Sequence, residues 1–482
     1  MSIIFKKNHF YFNIKINKPN LSLYVSLQKV CSMRFELTKE FLEILRQKIG
    51  EQNTIWIQEQ VLDLHYADIA EILDKLTNDE AKFIYFLVDD DTQADILMEL
   101  EEEVRDRFLA SLSTKEFADQ LENLDSDDAA DILGELPDEK IQEVIAQMDD
   151  DGAAEDIVDL LNYDEDTAGG LMQKEFFQAQ LDWPVNRALV ELRKQAEDVE
   201  KVYNIFVVNE SNHLVGVLSL KRLLFSSSRT KIEDLYQSKN IISVKTSDSA
   251  EEVAKVMEKY DLVSVPVVDY QNKLVGRITL DDVVDFIKEE ADKDFQLATG
   301  ISEPMDSGAS IWRISSARLP WLVVGMLGGI LGAKVISGFE GNITQIPALA
   351  FFIPLITATG GNVGVQSSAI VVQSLARGDK HFGNIFPKLL KEAGVGLVNG
   401  ILLASIIFGI AYVFENAQFG FVVSISLFTV IVFAAIIGTL IPLILNKYKI
   451  DPALATGPFI TTLNDVTGLF IYFTIGMLLL GQ

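Results

Sequence analysis

The sequence predicts a multidomain protein with an acidic, all-helical N-terminal domain, a pair of α/β domains and a membrane domain of five helices. Three observations predict this fold class. Of the 70 Asp and Glu residues, 64 lie between positions 34 and 310 and only six after it. Two similar segments with strand patterns follow one another within residues 204–279. Five apolar stretches, each long enough to cross a bilayer, occupy the chain from residue 313 onward.

The overall composition narrows the classes of function. A formal net charge of −29 argues against a nucleic-acid partner and favours a surface that attracts cations. The lone Cys31 excludes an intramolecular disulfide and a thiolate metal site, and the four His residues form no paired-His motif. The sequence has no nucleophile–base pair, Walker loop or metalloprotease motif. We therefore expect that the protein is not an enzyme.

Residues 1–33 differ from the rest of the chain. They contain five Lys and no acid, and Lys and Asn interrupt every apolar run, which is untypical of a signal peptide. We expect them to be a disordered tail or an extension from a misassigned start codon, with Met33 as the true start. A targeting presequence is the alternative.

Residues 34–165 are predicted to form the acidic helical domain. Apolar residues recur there at helical spacing and strand patterns are almost absent. An Ala-Asp-Ile motif repeats at residues 67–69, 94–96 and 130–132, which indicates stacked helical hairpins in a superhelix. Many acids fall at the expected turns, where Asp is a favourable N-cap, so a structural interpretation holds for any single one. The excess as a whole leaves a surface that repels itself unless cations screen it.

Two copies of one α/β unit are predicted at residues 166–235 and 236–290. Each copy reads as helix, strand, polar turn, strand and helix, and the strand pairs lie sixty residues apart. The tandem resembles a pair of cystathionine-β-synthase (CBS) domains, regulatory modules that bind adenine nucleotides in many families. The nucleotide signature of those domains matches the second copy at Gly276, Thr279 and Asp282, whereas the first copy has Arg222 in the Asp position. The resemblance implies ATP as a candidate ligand of the second copy.

A connecting helix is predicted over residues 283–312, where the second copy leads into the membrane part. Asp281, Asp285 and Asp292 recur near its start at about helical spacing, which puts them on one helix face. A row of carboxylates suits hydrated Mg²⁺ or Ca²⁺, hard cations that bind oxygen ligands. A solvated helix face explains the same pattern, and the residues alone do not decide between the two.

Residues 313–482 are predicted to form the membrane domain. Lys and Arg occupy the loops before the first span, between the second and third, and between the fourth and fifth, whereas the alternate loops have none. By the positive-inside rule, the N-terminal domains are cytoplasmic and the C-terminus lies outside the cell membrane. Because an odd number of spans does not form two complete halves, we expect a pore between subunits. The five spans fall near residues 318–339, 345–376, 389–414, 419–446 and 455–480.

The fifth span carries one acid, Asp465. A carboxylate near the centre of a membrane helix costs about 2.5 to 3.5 kcal/mol on the translocon-insertion scale, so such residues usually face water or a partner. Thr461, Thr462 and Asn464 supply hydroxyl and amide groups within about one helical turn. This pattern favours a cation path. The alternative is that Asp465 only pairs with Lys334, which would leave the polar cluster unexplained.

Small and polar residues also fill part of the second span. The run TATGGNVGVQSS, residues 357–368, has a composition that lets membrane helices approach closely or line water. Helix packing alone is the alternative, although Asn362 and Gln366 exceed what packing needs. The residues that we expect to line the pore are Gly360, Asn362, Gln366, Thr461, Thr462 and Asn464.

The order of these parts resembles the MgtE family of magnesium channels from about residue 33 to the C-terminus. The motifs that carry the resemblance are TATGGNVGVQSSA in the second span, KEAGVGL in the third, and DPAL and TTLNDVTGLF in the fifth. The resemblance implies a homodimer in the lipid bilayer with its pore on the two-fold axis, and Asp465 as the residue that binds hydrated Mg²⁺. Gly457 stands where the family often has Asn.

The resemblance also implies closure by cytosolic Mg²⁺. In the family, Mg²⁺ bridges acidic faces of the helical domain, the CBS pair and the connecting helix, and the channel opens when the ion is removed. One family acid matches Lys293 in this chain. The bridging residues implied by motif matching are Asp95, Asp127, Asp131, Glu251, Asp261, Asp282, Asp285, Glu290 and Asp294.

Two other functions stay open on the sequence. The CBS pair alone is compatible with a nucleotide-regulated transporter of another ion, such as Co²⁺ or an anion. The buried acid predicted in the fifth span and the lack of membrane-embedded Arg argue against an anion. The second alternative is a membrane scaffold or enzyme without transport, which predicts that Asp465 is dispensable for ion flux.

Overall fold

The chain divides into two compact units, Met1–Leu280 and Asp281–Gln482. The first contains the helical and α/β domains, and the second contains the connecting helix and the membrane-capable helices. The computed structural model describes residues 2–7, 10–15, 35–195, 204–302, 305, 310–376, 385–455 and 457–480.

The N-terminal segment contains two strands. β1 (Ser2–Lys7) and β2 (Phe10–Lys15) pair antiparallel. Residues 16–34 lie outside the described residues. A disordered tail or misassigned extension therefore stays a prediction for the segment as a whole.

Short amphipathic helices build the helical domain, as the apolar periodicity predicts. Contacts join alternate helices along the chain, which is the stacking expected of a superhelix. The buried Tyr85 ties three of these helices together, because its hydroxyl lies 3.1 Å from the Gln93 carbonyl and 2.5 Å from Gln120 Oε1. The helices are α1 (Lys39–Gly50), α2 (Thr54–Ile57, continued by a π-helical turn), α3 (Tyr66–Leu73), α4 (Asn78–Tyr85), α5 (Asp90–Glu99), α6 (Glu102–Leu109), α7 (Thr114–Leu121), α8 (Ser126–Gly134), α9 (Asp138–Ile145) and α10 (Asp151–Leu160).

Several acids of this domain cap helices, as the structural interpretation predicts. The Asp89 carboxylate accepts from the backbone N–H of Thr92 at the start of α5, and this bond lowers the pKa of Asp89. Asp150 accepts from two backbone N–H groups at the start of α10. Thr77 and Ser113 form capping boxes with the glutamates three residues on. These acids are explained by local structure without a bound cation.

The two α/β copies have the predicted elements. Each sheet has three strands in sequence order, the first pair parallel and the second antiparallel. The first copy comprises β3 (Gln178–Gln180), α11 (Val185–Lys194), β4 (Asn204–Val208), β5 (Leu214–Ser219) and α12 (Leu220–Leu224). The second comprises β6 (Val244–Lys245), α13 (Ala250–Tyr260), β7 (Ser264–Val268) and β8 (Leu274–Thr279).

The hairpin turns repeat in detail between the copies. Asn212 and Asn272 both have a left-handed backbone, with φ of +61° and +64°. The two turns also pair with each other, since Leu214 N donates to the Asn272 carbonyl and Leu274 N to the Asn212 carbonyl, at 3.2 and 3.1 Å. The copies are therefore joined through equivalent turns about an approximate two-fold axis.

A buried carboxyl group joins the helical domain to the α/β pair. Glu175 accepts from Ser126 N at 3.2 Å and from Ser126 Oγ at 2.9 Å, at the first residue of α8. Burial raises the pKa of Glu175, and the nearby Asp125 carboxylate raises it further. Gln173 extends the junction, because it bonds to Asp125 and accepts from Arg277 of β8.

The second unit contains the predicted membrane helices. Five helical stretches in the described residues are long and apolar enough to cross a membrane: 311–338, 348–375, 385–414, 417–447 and 458–480. The first begins seven residues earlier than predicted because Ser310 caps it by accepting from Arg313 N, so the basic first turns are helical. The helices of this unit are α14 (Leu280–Thr299), α15 (Ile311–Gly338), α16 (Glu340–Gln345), α17 (Ala348–Phe351), α18 (Ile353–Ala376), α19 (Ile385–Phe414), α20 (Ala417–Lys447) and α21 (Pro458–Leu480).

Helix α20 lies at the centre of the second unit. It contacts α18, α19 and α21, and half of the residues in its most apolar stretch are buried. The core includes the buried Tyr472, whose hydroxyl donates to the Leu349 carbonyl at 2.9 Å. By contrast, α15 and α19 expose most of their apolar side chains, as expected of helices that face lipid.

Candidate functional site

The Asp465 carboxylate lies where α21 crosses α18. It is half-buried, and a Cβ added to Gly361 of α18 would lie 3.4 Å from Asp465 Oδ1 and 3.2 Å from the Thr461 methyl group. The carboxylate therefore packs against Gly361, a position at which α18 carries no side chain. A carboxylate in such a position is the kind of group that Mg²⁺ and its bound waters contact.

No ion pair joins Asp465 to Lys334. The Lys334 side chain is exposed and lines a separate cavity of about 290 Å³ with Phe339 and Phe470. The ion pair that the sequence left open as an alternative is therefore wrong for this structure. The sequence allowed that pair because both residues lie within predicted spans, but in the structure the lysine side chain is on an exposed face of α15.

The threonines beside Asp465 are partly used by their own helix. Thr461 donates to the Gly457 carbonyl at 2.9 Å, and Thr467 donates to the Leu463 carbonyl at 2.7 Å, a bond common for hydroxyl side chains in membrane helices. The methyl group of Thr462 fills a notch at Gly328 of α15, where an added Cβ would lie 1.8 Å from it. Thr462 is thus a packing residue here, while Thr461 stays beside the carboxylate.

The other predicted pore residues divide into two groups. Asn362 and Gln366 are exposed and lie one helical turn apart, so they share a face of α18. Gly360 is buried against Val430 of α20, and Asn464 is 1% exposed, with its amide against Gly364 of α18. In this arrangement Gly360 and Asn464 point into the helix bundle rather than toward the exposed face.

The connecting helix, predicted over residues 283–312, is α14 and already ends at Thr299, where it lies against the start of α21. A Cβ added to Gly457 would lie 2.3 Å from the Ala298 carbonyl oxygen, and one added to Gly300 would lie 2.8 Å from Pro458 Cγ. Both glycines have a left-handed backbone, with φ of +54° and +87°. Gly457, the position at which this chain departs from the family pattern, is therefore required for this close approach.

The predicted regulatory acids of the first unit lie at different places on its surface and in its interior. Asp127 is buried, Asp95 is half-buried and Asp131 is exposed, on helices α5 and α8. Glu251 is bound by Lys255 at 2.7 Å in α13. Asp261 ends the same helix with a left-handed backbone, a conformation that Asp tolerates.

The remaining predicted regulatory acids lie on α14. Asp285 is exposed, whereas Asp282, Glu290 and Asp294 are half-buried. Lys293 binds Glu290 at 3.1 Å, so the lysine in the family's acid position pairs with one of the predicted ligands. Across the described residues of this single chain, no three His, Cys, Asp or Glu side chains converge at a metal-binding distance. Bridging of these acids by Mg²⁺ stays a prediction.

The nucleotide signature maps to β8 and the start of α14. Gly276 is packed under Met172, whose Sδ would lie 2.8 Å from an added Cβ, and Thr279 is buried. Ser264 pairs with Thr279 across the sheet, and its buried hydroxyl has no hydrogen-bond partner among the described residues. A polar ligand beside β7 and β8 would supply that partner. The signature did not include Ser264, because its role depends on the strand register.

Two further polar contacts were missed by the sequence analysis. Ser367 of α18 donates to Glu392 of α19 at 3.2 Å, so Glu392 is a second carboxylate, besides Asp465, within the described membrane-capable helices. The junction residue Glu175 also carried no sequence signal, since its partner Ser126 lies 49 residues away. Contacts between distant segments leave no periodic pattern in a sequence.

Comparisons with known proteins agree with this architecture. The chain matches the MgtE divalent cation transporter model at residues 353–475, the MgtE intracellular N domain at 64–166 and CBS domains at 168–229 and 232–289. It is similar to the magnesium transporter MgtE of Enterococcus faecalis, with 38% identity over 67% of this chain and 71% of that protein. The same identity holds for the magnesium transporter MgtE of Thermus thermophilus, over 67% of this chain and 72% of that one. The solved soluble part of a magnesium transporter is 30% identical, covers 52% of this chain and 99% of that chain, and has a TM-score of 0.48.

These matches explain the domain order of the chain. A helical N domain, a CBS pair and five membrane-capable helices occur here in the order that the family models predict. The identity to the two relatives extends over more than two thirds of their length. The chain is therefore a multi-pass membrane protein that belongs to the MgtE family of magnesium transporters.

Proposed function

We propose that the protein is a Mg²⁺-selective channel or transporter that admits Mg²⁺ to the cytosol down its electrochemical gradient. The position of Asp465 carries the proposal. Its carboxylate lies in a membrane-capable helix, against Gly361 of α18, with no ion pair to a basic side chain among the described residues. A carboxylate in such a place usually marks an ion path. Relatives named as magnesium transporters support Mg²⁺ as the ion.

Recognition of the hydrated ion fits this site. Mg²⁺ dehydrates reluctantly and keeps several waters, so it is bound through one or two carboxylates and its own water shell. Asp465 supplies the charge, and the Thr461 hydroxyl, whose hydrogen is donated to the Gly457 carbonyl, keeps its oxygen lone pairs as acceptors for those waters. A divalent cation gains about 4.6 kcal/mol on crossing a potential of 100 mV, so entry needs no coupled chemical reaction. The protein accordingly acts as a transporter and not as an enzyme.

The proposed assembly is a homodimer in the cell membrane. Asn362 and Gln366 present a polar strip on the exposed face of α18, and polar side chains in a membrane helix are costly against lipid. A second copy that covers this face would place the polar strips and both Asp465 residues around one axis. The basic loops support an orientation with the N domain and the CBS pair in the cytoplasm and the C-terminus outside.

The proposed gate is closed by cytosolic Mg²⁺. The acidic residues are concentrated in the N domain, the CBS pair and the connecting helix, where they repel one another unless a cation screens them. Mg²⁺ that binds between these parts stabilises the assembled, closed state over the open one. The close contact of α14 with the start of α21 at Gly457 gives this assembly a direct connection to the helix that carries Asp465.

We also propose ATP as a ligand of the second CBS domain. The signature residues Gly276, Thr279 and Asp282 support it, together with the unpartnered hydroxyl of Ser264 beside Thr279. A triphosphate ligand adds negative charge, so its binding would be coupled to that of Mg²⁺ at the neighbouring acids. Equilibrium dialysis of ATP against the wild type and Thr279→Val tests this, and equal binding by the two would contradict it.

Ion flux into proteoliposomes tests the proposed function. The purified protein is reconstituted with a Mg²⁺ indicator inside the vesicles, and an inward Mg²⁺ gradient is applied with a defined membrane potential. We expect Mg²⁺ entry that empty vesicles lack, that increases with internal negative potential and that exceeds entry of Co²⁺ or of an anion. Entry of another ion without Mg²⁺ would favour the alternative transporter, and no flux of any ion would favour a scaffold.

A further inference from the structure

The side chain of Asn464 is buried without hydrogen bonds. It is 1% exposed, and neither Nδ2 nor Oδ1 has a partner among the described residues. Its neighbours along α21 do not share this property, since the hydroxyls of Thr461 and Thr467 both donate to backbone carbonyls. A buried amide group that makes no hydrogen bond is one of the costlier features that a folded protein can contain.

Close packing holds this amide in place. A Cβ added to Gly364 would lie 1.8 Å from Asn464 Nδ2 and 2.8 Å from Ile460 Cγ2. On its other side, the Gly364 carbonyl oxygen would lie 2.4 Å from a Cβ added to Gly438 of α20. Three helices therefore meet at Gly364, and the asparagine occupies the space between α18 and α21. An apolar side chain of the same shape would fill this space without the cost of unpaired polar groups.

The backbone of α18 offers partners to this amide. Gly361 and Gly364 present no side chain toward α21, so the two helices lie close together there, and a helical carbonyl oxygen has a second lone pair beyond its helical bond. A small shift of α21 along α18 would bring the Asn464 amide within reach of such an oxygen. The same shift moves Asp465, the next residue, along Gly361.

We propose that Asn464 is a positioning residue of the transport path. Its amide bonds to the backbone of α18 in a second arrangement of α18 and α21 that transport visits, whereas it has no partner among the described residues in the present arrangement. The unpaired groups raise the energy of the present arrangement and so keep the second one populated. Asn464 in this way sets how long the Asp465 carboxylate spends at each position along Gly361.

The variant Asn464→Leu tests this inference, which rests on the proposed Mg²⁺ transport. Leucine has nearly the shape of asparagine and no polar groups. Asn399→Leu is the matched control, because Asn399 is an exposed asparagine of α19, a helix that takes no part in the crossing of α18 and α21. Both variants and the wild type are compared as full-length protein, for Mg²⁺ flux in proteoliposomes and for the midpoint of thermal unfolding in detergent.

We expect Asn464→Leu to unfold at the same temperature as the wild type or at a higher one. Its flux should fall by about tenfold, because removing one buried unpaired group lowers the population of the second arrangement by about that factor. Asn399→Leu should leave flux unchanged. Unchanged flux in Asn464→Leu would overturn the inference alone, as would a lower unfolding temperature, which would show that the amide is paired at rest. Absence of flux in the wild type would overturn the proposed function as well.

A second pair of variants separates positioning from packing. Gly364→Ala places a methyl group against the Asn464 amide and should lower the unfolding temperature. Adding Asn464→Ala removes the closest of these contacts and leaves the one with Ile460 Cγ2 at 2.8 Å, so the double variant should regain part of the lost stability. It should not regain flux, because the amide is missing. Recovery of both properties in the double variant would reduce Asn464 to a packing residue and contradict the inference.

Discussion

Replacing Gly457 with alanine is expected to weaken the inhibition of Mg²⁺ flux by cytoplasmic Mg²⁺. The added Cβ would lie 2.3 Å from the Ala298 carbonyl oxygen, and real Cβ contacts are essentially never shorter than 3.0 Å, so the end of α14 must move away by about 0.7 Å. The left-handed backbone of Gly457 adds a further cost of about 1–2 kcal/mol for alanine. If this energy acts on the docking of the connecting helix, the docked state loses about five- to thirtyfold in population.

The assay is Mg²⁺ flux into proteoliposomes with free Mg²⁺ on the cytoplasmic face varied from near zero to about 10 mM, a range that spans sensor-type affinities for divalent cations. Gly457→Asn separates the two costs, because Asn tolerates the left-handed conformation but still carries a Cβ. We expect both variants to retain more flux at high Mg²⁺ than the wild type. Gly329→Ala is the control, since nothing lies within 4 Å of a Cβ added there. Wild-type inhibition in both Gly457 variants would refute the role of this contact.

Three further predictions concern stability. Glu175→Gln should stabilise the N-domain junction at neutral pH and have no effect in acid. The reason is that the pKa of Glu175 is raised in the folded state, so the wild type loses stability as pH rises and this carboxyl group ionises. Hydrogen exchange at the start of α8, measured across pH, checks this. Gly328→Ala should lower the unfolding temperature because the added methyl group overlaps the Thr462 methyl group, and Thr462→Ser in the same chain should restore it. An unfolding temperature that stays low in the double variant would contradict the packing of Thr462 against Gly328. Tyr85→Phe should cost about 1–3 kcal/mol in urea unfolding by leaving the buried Gln120 oxygen without its donor, and an unchanged midpoint would rule out that bond.

Local patterns in the sequence predicted the elements well. Apolar periodicity gave the short helices of the N domain, and the equivalent turns at Asn212 and Asn272 follow from the repeat of the strand pairs. The lengths of the apolar stretches predicted the five membrane-capable helices. Asp465 was singled out because it is an acid within an otherwise apolar and neutral span. These features depend on residues close in sequence, which is why a single sequence was sufficient.

Contacts between distant residues could not be predicted in the same way. Asn464 and Asp465 are adjacent and both polar, yet one points into the bundle and the other toward Gly361, because successive helical residues are about 100° apart around the axis. The polar cluster alone could not tell which residue faces inward. The notch that receives Thr462 and the pairing of Ser126 with Glu175 depend on tertiary packing.

The most direct test of the central claim is Mg²⁺ flux through Asp465→Asn in proteoliposomes at low cytoplasmic Mg²⁺, where the wild type is expected to be open. Asparagine keeps the shape of the side chain and removes only the charge. Asp451→Asn is the matched control, because Asp451 is an exposed turn residue whose Oδ1 accepts from Ala453 N, a bond that Asn retains. If Asp465 is the cation site, its variant loses most of the flux while the control transports like the wild type. Equal flux through Asp465→Asn and the wild type would contradict the assignment of Asp465 to the ion path.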